Sequence, residues 1–209
     1  MSTQNTGLRP TAGAASRPRE LKQERAARTR DQILNAAAEA FAGTGFPAVT
    51  ILDVAELAGV TKGAVYFHFA NKEALAVAVA EEFYALLPAI AETVRTEPIA
   101  PLDAVAELLI RTATAFRDNR MIQAGARLQI ERHLVEAAMP TPFTEYTHLI
   151  ADLLAQAQSD GQLPASSDPQ AMARVVVAAF FGGQHISWVL HDRKDLAERV
   201  REIIDVILP

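Results

Sequence analysis

The stretch TILDVAELAGVTKGAVYFHFANK, residues 50–72, reads as two short helices joined by a tight turn. Thr50 suits an N-cap, and Asp53 stands three residues on, the spacing of a capping box. Val54, Ala55 and Ala58 give the first helix an apolar face. Gly59 suits the left-handed residue that closes a helix, and Val60 begins the turn. Thr61 caps the second helix, which should expose Lys62, Tyr66 and His68. Two helices about a Gly-containing turn make a helix-turn-helix, whose second helix enters the major groove in DNA-binding proteins. A plain helical hairpin in an all-α core has the same outline. The side chains favour DNA. Gly63 removes bulk where the helix would approach a duplex, and the polar tips of Lys62, Tyr66 and His68 suit phosphates or base edges.

Working outward, the basic residues lie toward the N-terminus. Residues 1–75 hold nine Lys/Arg against seven Asp/Glu, a net +2, while residues 76–209 hold eleven against eighteen, a net −7. The overall charge of −5 therefore hides one end suited to phosphate. A solvated charged tail would account equally for the basic residues of 9–24. There is no cysteine, which excludes disulfides, thiolate metal sites and cysteine nucleophiles. No signal peptide is expected. The longest uncharged run, Val175–His191, has 17 residues, short of a span of about 20, and reads as a buried helix. A cytoplasmic protein without a membrane role is expected.

The rest of the chain punctuates as helices, so the fold class is all-α. Residues 1–23 lack apolar periodicity and read as a disordered or loose basic arm. Residues 24–70 form the helix-turn-helix unit, beginning with a helix from about Glu24 to Ala42, with Phe46 and Val49 packed beneath. Residues 71–209 form a second, C-terminal helical domain. Its helices are expected from Asn71 past a bend at Pro88, over 102–116, 121–134 and 143–158, after the Asp168-Pro169 start, and over 195–207.

Residues 61–75, TKGAVYFHFANKEAL, with RTRDQILNAAAEAF at 28–41, resemble the signature of TetR-type transcriptional repressors. That resemblance implies a homodimer on double-stranded operator DNA, with Arg28, Thr50, Thr61, Lys62, Gly63, Tyr66, His68 and Lys72 at the DNA. Lys72, Tyr66, His68 and Thr50 are expected on phosphates, and Thr61 and Lys62 nearer base edges. It also implies a dimer through the last two helices, where Val177, Phe181, Val200, Ile203, Ile204 and Ile207 are the candidate contacts. Gly182 and Gly183 would permit close approach.

Polar and aromatic tips on apolar helices, among them Tyr84, Gln129, Tyr146, Gln184, His185 and Trp188, suggest a small-molecule pocket. Individually each suits a core or an interface as well. Leu87, Leu109, Phe143 and Phe180 are the candidate apolar wall. MIQAGARLQIER at 121–132, MPTPF at 139–143 and AAFFGGQHIS at 178–187 are similar to the γ-butyrolactone-autoregulator receptors, TetR-type repressors of antibiotic biosynthesis. In that group a Trp commonly stands three residues after the Pro-x-Pro-Phe segment, and here that position is Tyr146. The phenol points to a smaller or more acidic signal, a butenolide or a furan carboxylate. Two other readings stand beside this one. One is a DNA-binding pseudo-receptor with no small ligand. The other is an enzyme using the C-terminal cavity, with His133, His148, His185, Glu131 and Asp152 as acid–base candidates, though no catalytic set or metal spacing joins them. No cofactor and no metal are expected.

Overall fold

Nine α-helices and one short 3-10 turn make up the described residues, 17–141 and 143–208 of this computed structural model, with no strand among them. The helices are α1 (Arg17–Thr44), α2 (Ile51–Ala58), α3 (Lys62–His68), α4 (Lys72–Arg95), α5 (Pro101–Asp118), α6 (Arg120–Ile130), α7 (Thr144–Ser159), α8 (Pro169–His191) and α9 (Leu196–Ile207). The 3-10 turn, Arg132–Leu134, ends the segment expected as one helix to residue 134.

Local chemistry sets the boundaries. Thr50 Oγ1 accepts from the Asp53 amide at 3.2 Å, and Asp53 Oδ2 accepts from the Thr50 amide at 2.8 Å, a complete capping box. Gly59 closes α2 with φ +66°, and Thr61 caps α3 through the Ala64 amide at 3.2 Å. Asn71 caps α4, which runs on through Pro88 to Arg95. Asp168 caps α8, with Pro169 at the first helical position. Arg17 to Gln23, expected in a loose arm, instead extend α1. They lack an apolar face, but Arg, Glu, Leu, Lys and Gln are strong helix formers that continue a helix anchored further on. The arm expected over residues 1–16 lies outside the described residues.

There are two cores. The first gathers Ile33, Ala37 and Phe41 of α1 with Phe46, Val49, Val54 and Val65. It also takes in Leu75 and Val79 of α4 and Ala124 and Leu128 of α6. The helix-turn-helix unit thus packs past the boundary expected at residue 70. The second core joins α4, α5, α7, α8 and α9 with Ile122 and Ala126 of α6, around Phe83, Phe116, Ile150 and Phe180. α4 and α6 therefore belong to both. They lie close because Gly125 has no side chain: a Cβ there would stand 2.2 Å from Phe83 Cβ.

Candidate DNA interface and ligand site

Three elements carry the candidate DNA residues. Lys62 and Tyr66 are exposed on α3, with the ammonium 5.8 Å from the ring centroid. His68 is half-buried at the end of α3, edge-on to Phe67. Thr50, Thr61 and Arg28 are exposed as well, but both threonine hydroxyls already serve as caps. Phe67, overlooked in sequence, is 79% exposed on α3. Its bulk concealed a surface role; its place off the buried Val65–Phe69 side was the available signal. Lys72, expected on phosphate, is half-buried and uses one of its three donors within the chain. Its ammonium donates to the Phe46 carbonyl at 2.9 Å and lies 4.2 Å from the Phe46 ring centroid, tying the start of α4 to the turn after α1.

Gly63 has ordinary backbone geometry, and a Cβ there would meet only Thr61 Oγ1, at 3.9 Å. Nothing inside the chain requires glycine at this exposed site. Gly63→Leu should therefore leave thermal unfolding unchanged or raise stability by about 0.5 kcal/mol through helix propensity. Affinity for duplex DNA should fall at least about tenfold, about 1.4 kcal/mol. Calorimetry and a duplex titration check the two halves separately. Unchanged affinity would remove α3 from the DNA face.

α6 clasps this unit from behind. The Arg127 guanidinium donates to the carbonyls of Ala42 (3.1 Å), Gly43 (2.9 Å) and Thr44 (3.0 Å), the uncapped end of α1. Its Nε donates to Glu131 at 2.9 Å, and Glu131 in turn accepts the Phe46 amide at 2.7 Å. Gly45, at φ +87°, is needed for conformation and for space, since a Cβ would lie 2.5 Å from the Arg127 guanidinium.

Two cavities open on α4 further along the chain. The outer one, about 620 Å³, lies between α4 (Tyr84, Leu87, Pro88, Ala91) and α7 (Tyr146, Leu149) with Phe143 just before it. The inner one, about 250 Å³, is lined by Phe83, Gln129 and Ile130, and by Phe181, Gln184 and His185 of α8. Phe143 lines both. Tyr84 Oη, both amide atoms of Gln129, Gln184 Oε1 and His185 Nδ1 are buried without a hydrogen-bond partner in the protein. Such groups are scarce in folded proteins, and each costs about 1–3 kcal/mol. Burial raises the Tyr84 phenol well above its ordinary range, so it stays protonated and able to donate.

Tyr146 is in the outer wall, but its phenol is already used. It lies 2.9 Å from Thr112 Oγ1, whose own hydrogen goes to the Leu108 carbonyl at 2.7 Å, so Tyr146 donates and retains only acceptor capacity. Leu109 and Phe180 are fully buried in the second core and line neither cavity. Trp188 also lines neither cavity, its ring lying against the guanidinium groups of Arg127 (5.4 Å) and Arg193 (5.0 Å). The acid–base candidates do not converge: His133, His148 and Asp152 are exposed, Glu131 holds Arg127, and His185 lies in the inner cavity. Among the described residues no group of three His, Asp or Glu side chains is placed to hold a metal.

Residues 33–79 match the family described as bacterial regulatory proteins, tetR family. Two further regulators, 30% and 32% identical, are matched over 91% and 86% of their own length. The chain belongs to the TetR family. The A-factor receptor protein of Streptomyces griseus is 36% identical over 90% of this chain, which spans 65% of that relative's length. A structure described as the molecular basis for control of antibiotic production by bacterial hormones is 51% identical, with a TM-score of 0.81. It is matched over 86% of this chain and 95% of its own. A γ-butyrolactone receptor structure is 29% identical, with a TM-score of 0.69, over 85% of this chain and 98% of its own.

On this TetR-family chain the candidate interface residues divide. Val177 and Val200 are in the chain's own core, and Phe181 packs on Phe116, Phe143 and Phe180. Ile204 and Ile207 lean on the same core, and Ile203 faces Gly183, where a Cβ would be 3.3 Å from its Cδ1. α8 is not buried on every side. Val175, Ala178, Gly182, Ile186 and Val189 form an exposed stripe, joined by Leu190 and by Val206 of α9. Gly182 has open space in front of it, so a partner helix would meet backbone there.

Proposed function

We propose that this TetR-family chain is a ligand-responsive transcriptional repressor. It binds operator DNA as a dimer in the cytoplasm and is released by a small autoregulator-like signal of γ-butyrolactone, butenolide or furan type. The genes it controls are those of antibiotic or other secondary-metabolite production, in line with the 51%-identical structure that concerns control of antibiotic production by bacterial hormones. One observation carries the ligand: a buried, unpartnered phenol, Tyr84, in the wall of a mostly apolar 620 Å³ cavity. It stands on α4, whose first turns, with Leu75 and Val79, belong to the core of the helix-turn-helix unit.

The exposed stripe of α8 and Val206 of α9 are the surface for the second copy. A dimer sets two α3 helices into successive major grooves, about 34–36 Å apart. Ligand weakens DNA binding only by its differential affinity for a state with another spacing. α4 and α6 form cavity walls at one end and pack in the DNA-reading core at the other, so they carry that shift.

The test begins with a duplex selected from a randomised pool. Its complex is titrated with an alkyl γ-butyrolactone, an alkyl butenolide and an alkyl furan carboxylate. Release by at least one class is expected, and release by none would sink the ligand reading. Tyr84→Phe separates ligand from fold. It removes a buried hydroxyl that has no partner, so stability without ligand should hold or rise. Release should then need about 5- to 150-fold more ligand, for a lost hydrogen bond of about 1–3 kcal/mol. Identical release curves would take Tyr84 out of the site.

A further inference from the structure

Apart from both cavities, three arginines gather where the α8–α9 connection meets α6. Arg120 and Arg127 stand two turns apart on one face of α6. Arg193 comes from the connection. It and Asp192 are consecutive left-handed residues, at φ +62° and +51°, a geometry that non-glycine residues rarely adopt. Arg193 is only 5% exposed, and its guanidinium lies 5.0 Å from the Trp188 ring centroid. The Arg127 guanidinium lies 5.4 Å from the same ring. Two of the three cations have a carboxylate in contact: Arg120 has Glu39 at 3.1 Å, and Arg127 has Glu131 at 2.9 Å. Arg193 has none among the described residues, and its Nε is buried without a hydrogen-bond partner. Burial, with the like charges of Arg120 and Arg127 and against the pull of Asp192, pushes the Arg193 guanidinium down to about 10. It is still charged at neutral pH.

We infer that this cluster binds a small oxyanion, a phosphate or a carboxylate, with Arg193 as its ligand and Arg120 and Arg127 as the surrounding charge. The counter-charge that the third arginine lacks within the chain comes from solution. A guanidinium presents its N–H donors as a planar fork that matches two oxygens of either group. Three like charges repel a cation, and an apolar group would leave the Arg193 donors unmet. Nε is the nitrogen shut from solvent, which leaves the Nη pair to meet the anion. The site lies at a joint, since Arg127 also holds the end of α1. An anion there braces the α8–α9 connection against the helix that clasps the DNA-reading unit. The inference is independent of the ligand-released reading, whose cavities open on α4.

Trp188 is the only tryptophan of the chain, so its emission reports the guanidinium groups against it. The full-length chain is titrated with inorganic phosphate and, separately, with acetate, each against chloride at equal ionic strength. A saturable change in emission is expected with at least one of them and not with chloride. The tighter of the two names the phosphoryl or the carboxylate class. At ten times the midpoint concentration that anion should raise Tm by about 3–6 °C. Arg193→Gln breaks no hydrogen bond or ion pair within the described residues, so it should keep the wild-type far-UV helical signal. Its midpoint should rise at least about tenfold. Arg193→Lys keeps the charge without the fork and should lie between. Arg120→Gln, at an exposed position, should raise the midpoint about two- to fivefold. No response beyond chloride, no rise in Tm, or a wild-type midpoint in Arg193→Gln would overturn the site. Should Arg193→Gln lose its helical signal, Arg193→Lys decides, and an unchanged midpoint there overturns the site equally.

Discussion

Ile186→Arg is expected to leave each chain folded and to abolish the dimer. Ile186 is 47% exposed on the α8 stripe, so a longer polar side chain can extend into solvent from the free protomer. In a two-fold assembly the same residue enters the interface from both copies. Each arginine would be buried without a partner, a cost of several kcal/mol, and the two charges would repel. The dimer dissociation constant should rise at least about a thousandfold, about 4 kcal/mol. With the link between half-sites gone, affinity for the selected duplex should fall by about 10²- to 10⁴-fold. Sedimentation at micromolar concentration and a duplex titration check both effects. A variant that remains dimeric would move the interface off this stripe. A wild-type chain that is a folded monomer at that concentration would remove it altogether.

Arg127→Ala is expected to loosen the DNA-reading unit. Four hydrogen bonds go with the guanidinium: three cap the carbonyls of Ala42, Gly43 and Thr44, and one holds Glu131. The Glu131 side chain, 17% exposed, keeps its bond from the Phe46 amide but loses its counter-charge. A largely buried pair broken on one side, discounted for that exposure, costs about 2–3 kcal/mol. For a chain of this size that lowers Tm by about 4–12 °C. Affinity for DNA should fall with it, since the 42–46 turn anchors both Phe46 and Lys72. Arg127→Lys keeps the charge but not the planar fork, so it should lie between wild type and alanine. A Tm within about 1 °C of wild type for the alanine variant, against the shift above, would show that the clasp is not structural.

The helix-turn-helix was legible because its signals are local. Thr50 with Asp53, Gly59, and Thr61 with Ala64 act within three or four residues, where sequence spacing is spatial spacing. Lys72 shows where that ends. Its type and place suit phosphate, and nothing in the sequence signals that one of its donors also holds a backbone carbonyl 26 residues earlier, a contact set by how α4 meets the turn after α1. On α8 the apolar content was plain and its sidedness was not. Val176, Val177 and Phe180 turn inward while Val175, Ala178 and Val189 turn outward, and both sets are apolar. Periodicity could not say which side the chain's own core occupies.

The ligand site divides in the same way. Tyr84 and Gln129 stood out as polar tips on apolar helices, and both are buried without partners. Tyr146 stood out equally, yet Thr112 on α5 takes its hydrogen. Trp188 followed the aromatic pattern, but it lines neither of these two cavities and packs instead against the guanidinium groups of Arg127 and Arg193. Each of these depends on contacts between helices far apart in the chain.

The most direct test of a ligand-released repressor follows the dimer on its selected duplex while one signal is added. Fluorescence anisotropy of labelled duplex gives the fraction bound, and calorimetry gives the ligand stoichiometry. Release is expected at saturation by one of the three signal classes, with one ligand per protomer and a midpoint that rises in Tyr84→Phe. A complex that persists at saturation with all three classes, or a midpoint unmoved by Tyr84→Phe together with Gln129→Leu, would contradict the account.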